Sequence, residues 1–251
     1  MDSGGPSGGG GSGTKLARAV NKLGTDSFAI NFLYNANGKV KKIFQDGSIS
    51  GFDFSDTLTI TRNSAGIITS LFYINPEPPP AGYQELSTLN YNSSTGRYNF
   101  ALVNGGNYID STAYTYDGSG KIIRREKFTR QIPGGTYEPV YKSEYTYSAA
   151  GGNVVIEKSF VFDFAISSYE ETDRVTSTHD NKVNPLILGN ESILFGYADF
   201  TGSNNINYAK NEFLSPPSSP FEQTITYTYN SAGNPLTGIS NLGITSKYYY
   251  K

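Results

Sequence analysis

The chain has 251 residues, with 20 Tyr, 15 Phe, 28 Gly, 12 Pro, one His and neither Cys nor Trp; Lys and Arg total 20 against 22 Asp and Glu, a formal charge of −2. The absence of Cys excludes a disulfide framework, a thiolate metal site and a cysteine nucleophile, and a lone histidine, His179, excludes a multi-histidine metal centre. Near-neutral charge is unlike the basic footprint of a nucleic-acid binder, and a tyrosine-rich, charge-poor composition favours β structure.

In chain order, residues 1–13 are dominated by Gly and Ser (Asp2-Ser3-Gly4-Gly5-Pro6-Ser7-Gly8-Gly9-Gly10-Gly11) and read as a flexible tether, native or an added linker. Residues 14–251 read as a single β-repeat domain, and no apolar run approaches the ~20 residues of a spanning helix. Leu16, Val20 and Leu23 have helical spacing. Yet Lys15-Leu16-Ala17-Arg18-Ala19-Val20 aligns with Lys39-Val40-Lys41-Lys42-Ile43, which predicts a strand instead.

One pattern then recurs: alternating aromatic or β-branched residues, Asn or Asp, two small residues, Gly, and a second β-rich run. Its clear copies are Phe32-Leu33-Tyr34-Asn35-Ala36-Asn37-Gly38, Tyr114-Thr115-Tyr116-Asp117-Gly118-Ser119-Gly120 and Tyr227-Thr228-Tyr229-Asn230-Ser231-Ala232-Gly233. Ile60-Thr61-Arg62-Asn63-Ser64-Ala65-Gly66 carries Arg where the second aromatic stands elsewhere. Leu89 to Gly96 and Tyr145 to Gly152 have one extra turn residue, and Ser177-Thr178-His179-Asp180 begins a degenerate seventh copy. Asn or Asp accepts from the backbone two residues on, and the glycine supplies positive φ for the return. Gly38, Gly66, Gly96, Gly120, Gly152 and Gly233 are therefore the turn-defining residues. Alternation places Ile30, Phe32, Tyr34, Tyr114, Tyr116, Tyr145, Tyr147, Tyr227 and Tyr229 on one face, and mainly threonine on the other. That is an antiparallel sheet with one buried and one wetter face.

Two features break the rhythm. Residues 186–200 do not alternate cleanly and read as a short helical or irregular insertion over the aromatic face or an open sheet end, or else as one more irregular strand pair. The longer joins, Gln45–Ser55, Asn75–Gly82, Gln131–Pro139, Phe164–Ser168 and Lys210–Pro220, should gather at the end opposite the short turns. Several are proline-rich, and proline lowers the entropy lost when a partner binds. With Tyr83, Tyr137 and Phe221 they form a possible binding rim, or are merely rigid crossovers. The fold expected is all-β: a long antiparallel meander of about fourteen strands, twisted and curled toward a barrel or half-barrel.

Tyr116-Asp117-x-x-Gly120 and Tyr229-Asn230-x-x-Gly233-Asn234-Pro235 resemble YD (Rhs-type) repeats. Together with Asp180-Asn181-Lys182-Val183-Asn184-Pro185 and Asn204-Asn205, the arrangement resembles the Bacteroidetes lipoproteins of unknown function built from YD-like hairpins. The resemblance covers roughly Lys15 to Lys251. It implies a cell-envelope protein, outer-membrane-anchored or periplasmic, whose glycine tether follows a lipidated cysteine that this sequence lacks. It supplies no activity.

The chemistry-bearing residues are sparse. His179 occupies an aromatic slot of the repeat, which makes it a substituted strand aromatic before a catalytic base. Asp53 with Asp56, and Glu170 and Glu171 with Asp173, would serve glycoside hydrolysis only if held across a cleft. Asp117-Gly118-Ser119-Gly120 resembles a calcium-loop fragment without the remaining ligands. No catalytic, metal or cofactor residue is assigned and no cofactor is expected. The leading reading is a non-enzymatic envelope protein that binds or scaffolds an unknown protein, glycan or apolar ligand and touches membrane only through an anchor. Its alternatives are a carrier for an apolar ligand in a curled-sheet cavity, an outer-membrane β-barrel and a carbohydrate-active enzyme. Against the membrane barrel stand Lys41-Lys42 and Arg124-Arg125-Glu126-Lys127, which put charge on both faces.

Overall fold

In the computed structural model, which describes residues 15–76, 83–149, 152–185, 188, 190–195 and 202–251, the repeat folds as seven antiparallel hairpins flanked by two lone strands. The first strand is β1 (Leu16–Leu23). The hairpins are β2 (Asp26–Tyr34) with β3 (Val40–Ile49), β4 (Phe52–Arg62) with β5 (Ile68–Asn75), and β6 (Tyr83–Asn92) with β7 (Arg97–Asn104). There follow β8 (Tyr108–Tyr116) with β9 (Ile122–Gln131), and β10 (Glu138–Tyr147) with β11 (Val154–Asp163). Last come β12 (Ser168–Val183) with β13 (Asn204–Phe213), β14 (Phe221–Tyr229) with β15 (Pro235–Ser240), and the final strand β16 (Thr245–Tyr250). A five-residue helix, α1 (Asn190–Leu194), lies between β12 and β13.

These sixteen strands form one closed barrel in sequence order, sealed where β16 pairs with β1. Leu16 faces Tyr250, and Lys15 and Lys251 exchange backbone hydrogen bonds beyond them. The seam is thus an eighth repeat divided between the ends of the described chain: β16 supplies its aromatic first strand and β1 its second. Closure leaves no sheet edge unpaired. The segment from Lys15 is a strand, as its alignment with the repeat predicts.

The turns obey the chemistry read from sequence. Asn35, Asn63, Asp117 and Asn230 accept through Oδ1 from backbone N–H groups four residues on, at 2.9 to 3.1 Å. Gly38, Gly66, Gly96, Gly120 and Gly233 have φ between 70° and 87°. Gly152 is not among the positive-φ residues; a Cβ there would meet Ser203 Oγ at 2.6 Å, so its constraint is close approach. The ladder shifts register at the last residue before the turn in most units, at Leu33/Tyr34, Thr61/Arg62, Thr115/Tyr116, Thr146/Tyr147 and Thr228/Tyr229.

Facing pairs carry one apolar face around the inside: Ala19 opposite Ile30, Phe32 opposite Ile43, Ile43 opposite Leu58, Ile60 opposite Leu71, Leu89 opposite Ala101. All of them are buried. The outer face carries Thr57, Thr59 and Thr61 on β4 and Thr224, Thr226 and Thr228 on β14.

The expectation about the joins needs two corrections. Gln45–Ser55 is almost wholly strand, its reversal confined to Ser50 and Gly51, both at positive φ. The longest connection, between Val183 and Asn204, is not one of these joins; its ends lie at the short-turn end, and it carries α1. Lys210–Pro220 is also half strand, with the turn beginning at Leu214. The Asn75–Gly82 join lies mostly outside the described residues, as do the tether and most of 186–200.

Gly118 and Gly120 offer an internal control, since a Cβ at Gly118 meets nothing within 4 Å and only Gly120 has positive φ, at 87°. Gly120→Val should destabilise by about 2 kcal/mol and lower the melting midpoint by roughly 4–8 °C. Gly118→Val should stay within about 0.5 kcal/mol of the parent in the same thermal melt.

Candidate functional site

The interior of the barrel is organised by tyrosine hydroxyls. Tyr34 donates to the carbonyl of Leu16 at 2.7 Å, Tyr116 to Tyr98 at 3.0 Å, Tyr147 to Ile122 at 2.8 Å, Tyr227 to Ile206 at 2.8 Å and Tyr250 to Pro235 at 2.6 Å. Each acceptor belongs to the strand preceding the donor and lies at or near the start of that strand. Tyr98 instead reaches past β6, accepting from the N–H of Ile68 at 2.9 Å. Burial holds the phenols of Tyr34 and Tyr145 up at about 12, and raises Tyr114, Tyr147, Tyr227 and Tyr250 in the same direction.

At one unit the aromatic slot holds Arg62, whose side chain is 6% exposed. Its guanidinium donates to Glu191 of α1 at 2.8 and 2.6 Å and to the carbonyl of Gly66 at 3.0 Å. Ile193 and Leu194 of the same helix are buried in the core. Arg62 therefore clamps α1 inside the short-turn end. The base of the insertion is tied by Asn and Asp side chains. Asn184 Nδ2 donates to Gly202 O at 3.1 Å, and Asn205 Nδ2 to Asp180 at 3.1 Å. Tyr229 also donates to Asp180.

Between these fillings runs a cavity of about 680 Å³, from Leu23, Ile49 and Ile244 at the far mouth inward to Asn184 and Pro185. A second space of about 470 Å³ separates β2 and β3 from the insertion. On the inner face of β8 to β10, Lys127 pairs with Asp110 of the adjacent strand at 2.5 Å, and Arg125 lies 5.8 Å from the Tyr141 ring centre.

The residues singled out from sequence separate. Tyr83, Tyr137 and Phe221 all sit at the far rim, at the starts of β6, β10 and β14 or just before them, so successive members stand at least four strand spacings apart. At about 4.8 Å per strand that is roughly 19 Å or more of perimeter, and the three do not converge. Tyr137 lies under the Arg130 guanidinium at 5.0 Å, and Phe221 is exposed. Asp53 points outward and Asp56 inward, and β4 stands half the barrel away from β12 with Glu170, Glu171 and Asp173. His179 is half-buried in an inward slot, where burial lowers its pKa against the opposing pull of Asp180. Asp117 spends its carboxylate on its own turn, whose N–H groups hold it below the ordinary carboxylate range. Among the described residues no cluster of three His, Cys, Asp or Glu is placed to hold a metal. The clamp of Arg62 on Glu191 escaped sequence reasoning, although Arg62 stood out as the basic residue in an aromatic slot.

No protein-family model and no curated protein matches the sequence. Among solved structures the chain is similar to a porin-like protein from Bacteroides uniformis, at 15% identity over 95% of this chain and 98% of that one, with a TM-score of 0.56. It is also similar to a porin-like protein from Bacteroides vulgatus, at 10% identity over 94% and 98%, with a TM-score of 0.49. The first likeness is one of fold.

Two measurements follow. A double-mutant cycle of Arg62→Met with Glu191→Gln should return a coupling of about 1.5–3 kcal/mol, the scale of charge-assisted hydrogen bonds; a value below about 0.5 kcal/mol would show that α1 is held by packing alone. The buried phenols set the alkaline limit. The unfolded chain releases tyrosine protons near 10 and the folded chain near 12 for Tyr34 and Tyr145, so stability is intact below pH 10 and is lost as pH climbs through 12. Melting midpoints should fall across that window, and phenolate absorbance should show a fraction of tyrosines that ionise only on unfolding.

Proposed function

We propose that this chain is a non-enzymatic binding barrel of the cell envelope that stands in water, not in lipid. One observation carries the reading: each strand from β9 to β13 carries outward charges engaged in ion pairs. Arg124 pairs there with Glu126 at 2.9 Å, Lys142 with Glu144 at 2.8 Å, Arg174 with Glu171 at 2.7 Å and Lys210 with Glu212 at 2.9 Å, and Lys158 adds a looser contact to Glu171. A transmembrane barrel presents a continuous apolar band about 25 Å tall, and each outward Lys or Arg near its middle costs about 2–4 kcal/mol. Outward apolar residues also occur, Leu33 and Phe44 on β2 and β3, Phe72, Leu86, Phe100 and Leu102 on β5 to β7, Phe128 and Phe160 on β9 and β11 and Ile239 on β15, but they are interleaved with the outward threonines of β4 and β14 and with these ion pairs. Inside, Lys127 pairs with Asp110, Arg62 with Glu191, and Arg125 lies beside the Tyr141 ring, an arrangement that suits binding better than turnover.

The envelope location rests on the resemblance and on the porin-like fold, and the lipid anchor on the resemblance alone. A tether leaving Lys15 departs from the short-turn end, because Lys15 pairs with Lys251 there. An anchored barrel would then turn its open mouth away from the membrane. The second reading, an embedded outer-membrane barrel, is favoured by the strand number and by the porin-like neighbour.

Extraction separates the two. The expected result is a monodisperse monomeric or small-oligomeric protein in buffer without detergent, absent from floated liposomes and without conductance in planar bilayers. Recovery only in detergent, with ion-conducting channels, would overturn the proposal in favour of the embedded barrel.

A further inference from the structure

Resting on the reading of a water-facing barrel, we propose that the lumenal cavity walled by β1 to β3 and β11 to β16 is a binding site for one uncharged, elongated apolar molecule, admitted through the far mouth. Its volume of about 680 Å³ falls within the ~300–1,000 Å³ of small-molecule sites. The hollow exists because small side chains stand on the inner face on this side. Ala19 and Ala209 line it, and Gly238 faces Tyr227. A Cβ at Gly238 would come within 3.1 Å of the Tyr227 ring, so the glycine lets that ring lie against the wall instead of across the lumen. The opposite side is filled by Leu58, Ile60, Leu71, Leu89 and Tyr145, and by Ile193 and Leu194 of α1.

The wall decides the ligand class. Phe28, Ile30, Ile206, Ile225, Tyr227 and Tyr248 give it an aromatic and aliphatic surface. Several of the polar groups on it are already spent on protein partners. Tyr227 bonds Ile206 O at 2.8 Å, Ser246 bonds Asn21 at 2.6 Å, Asn184 bonds Gly202 O at 3.1 Å and Asn205 bonds Asp180 at 3.1 Å. A polar ligand would lose its water without finding matching donors and acceptors. Glu157 on the wall and Asp26 at the mouth disfavour an anion, with Lys22 the opposing charge at the mouth. Lining residues on β1 run from Ala19 to Leu23, about 13 Å along the strand, which admits an extended shape.

Two dyes sharing one aromatic frame test this. N-phenyl-1-naphthylamine is neutral, and 8-anilinonaphthalene-1-sulfonate adds an anion. The neutral dye should bind saturably with one-to-one stoichiometry by fluorescence and by native mass spectrometry, and the sulfonate at least tenfold more weakly. Ala209→Phe, which fills the hollow, should weaken the neutral dye at least tenfold, whereas Thr226→Phe on the outer wall should leave it unchanged. If Ala209→Phe does not fold, Gly238→Ala decides, since it drives Tyr227 toward the lumen and should weaken binding likewise. No saturable binding, equal affinity for both dyes, or full binding by a folded cavity-filling variant would overturn the inference. Monodispersity without detergent is read on the same sample. A soluble barrel that ignores the neutral dye sinks this inference alone, and a chain that needs detergent sinks the reading beneath it.

Discussion

The barrel depends on one recurring hydrogen bond, from a tyrosine hydroxyl to a backbone carbonyl of the preceding strand. Register shifts beside each short turn interrupt the ladder where the second strand begins, at residues such as Leu16 and Ile122, which are fully buried. A buried carbonyl left without a donor costs about 1–3 kcal/mol. The phenol of the next unit meets that need, as Tyr34 does for Leu16 and Tyr147 for Ile122. For these carbonyls the phenol donor comes from the neighbouring unit, so stability is shared along the array as in other repeat proteins. The demand continues across the seam. Tyr250 serves Pro235 just before closure, and Tyr34 serves Leu16 just after it. The same chemistry that couples neighbours thus favours joining the last strand to the first.

Where the slot departs from tyrosine, the interior acquires something other than wall. Arg62 cannot act as a phenol does, and its charge selects Glu191 as partner. His179 and Asp180 interrupt the slot in β12, and Asp180 gathers Tyr229, Asn205 and the N–H of Lys182. Both departures serve the insertion between β12 and β13: one clamps its helix and the other ties its base. Sixteen strands in an open barrel leave a water channel. Here α1 and the inward aromatics occupy much of that space, and the remaining cavity follows from alanine and glycine on the inner face.

Much of this was legible in the sequence because it is local. Asn-x-x-Gly fixes a turn through contacts four residues apart, and period-two alternation fixes which side chains face inward; the strand at Leu16–Leu23 followed from alignment with the repeat despite its helical spacing. What was hidden was long-range. Arg62 and Glu191 are separated by 129 positions, and no periodicity links them. The direction of the insertion was equally hidden, because a segment without alternation carries no preference between lumen and solvent. Tyr83, Tyr137 and Phe221 share one end of the barrel, but their angular separation depends on closure and strand number, which seven degenerate copies and one orphan strand did not reveal.

The likeness to a porin-like chain and the charged outer wall are compatible because they are written on different residues. Strand number, closure and turn direction depend on inward phenols, turn asparagines and glycines. The surrounding medium is chosen by the alternate, outward positions, where a substitution leaves the ladder and the inner packing untouched. Two barrels can therefore share their course at 15% identity while their outward residues differ, and here those residues include Lys142–Glu144 and Lys210–Glu212. In this chain the outward threonines of β4 and β14 and the ion pairs of β9 to β13 belong to that second alphabet. Fold similarity supplies the scaffold, and the outer alternation decides where the scaffold can stand.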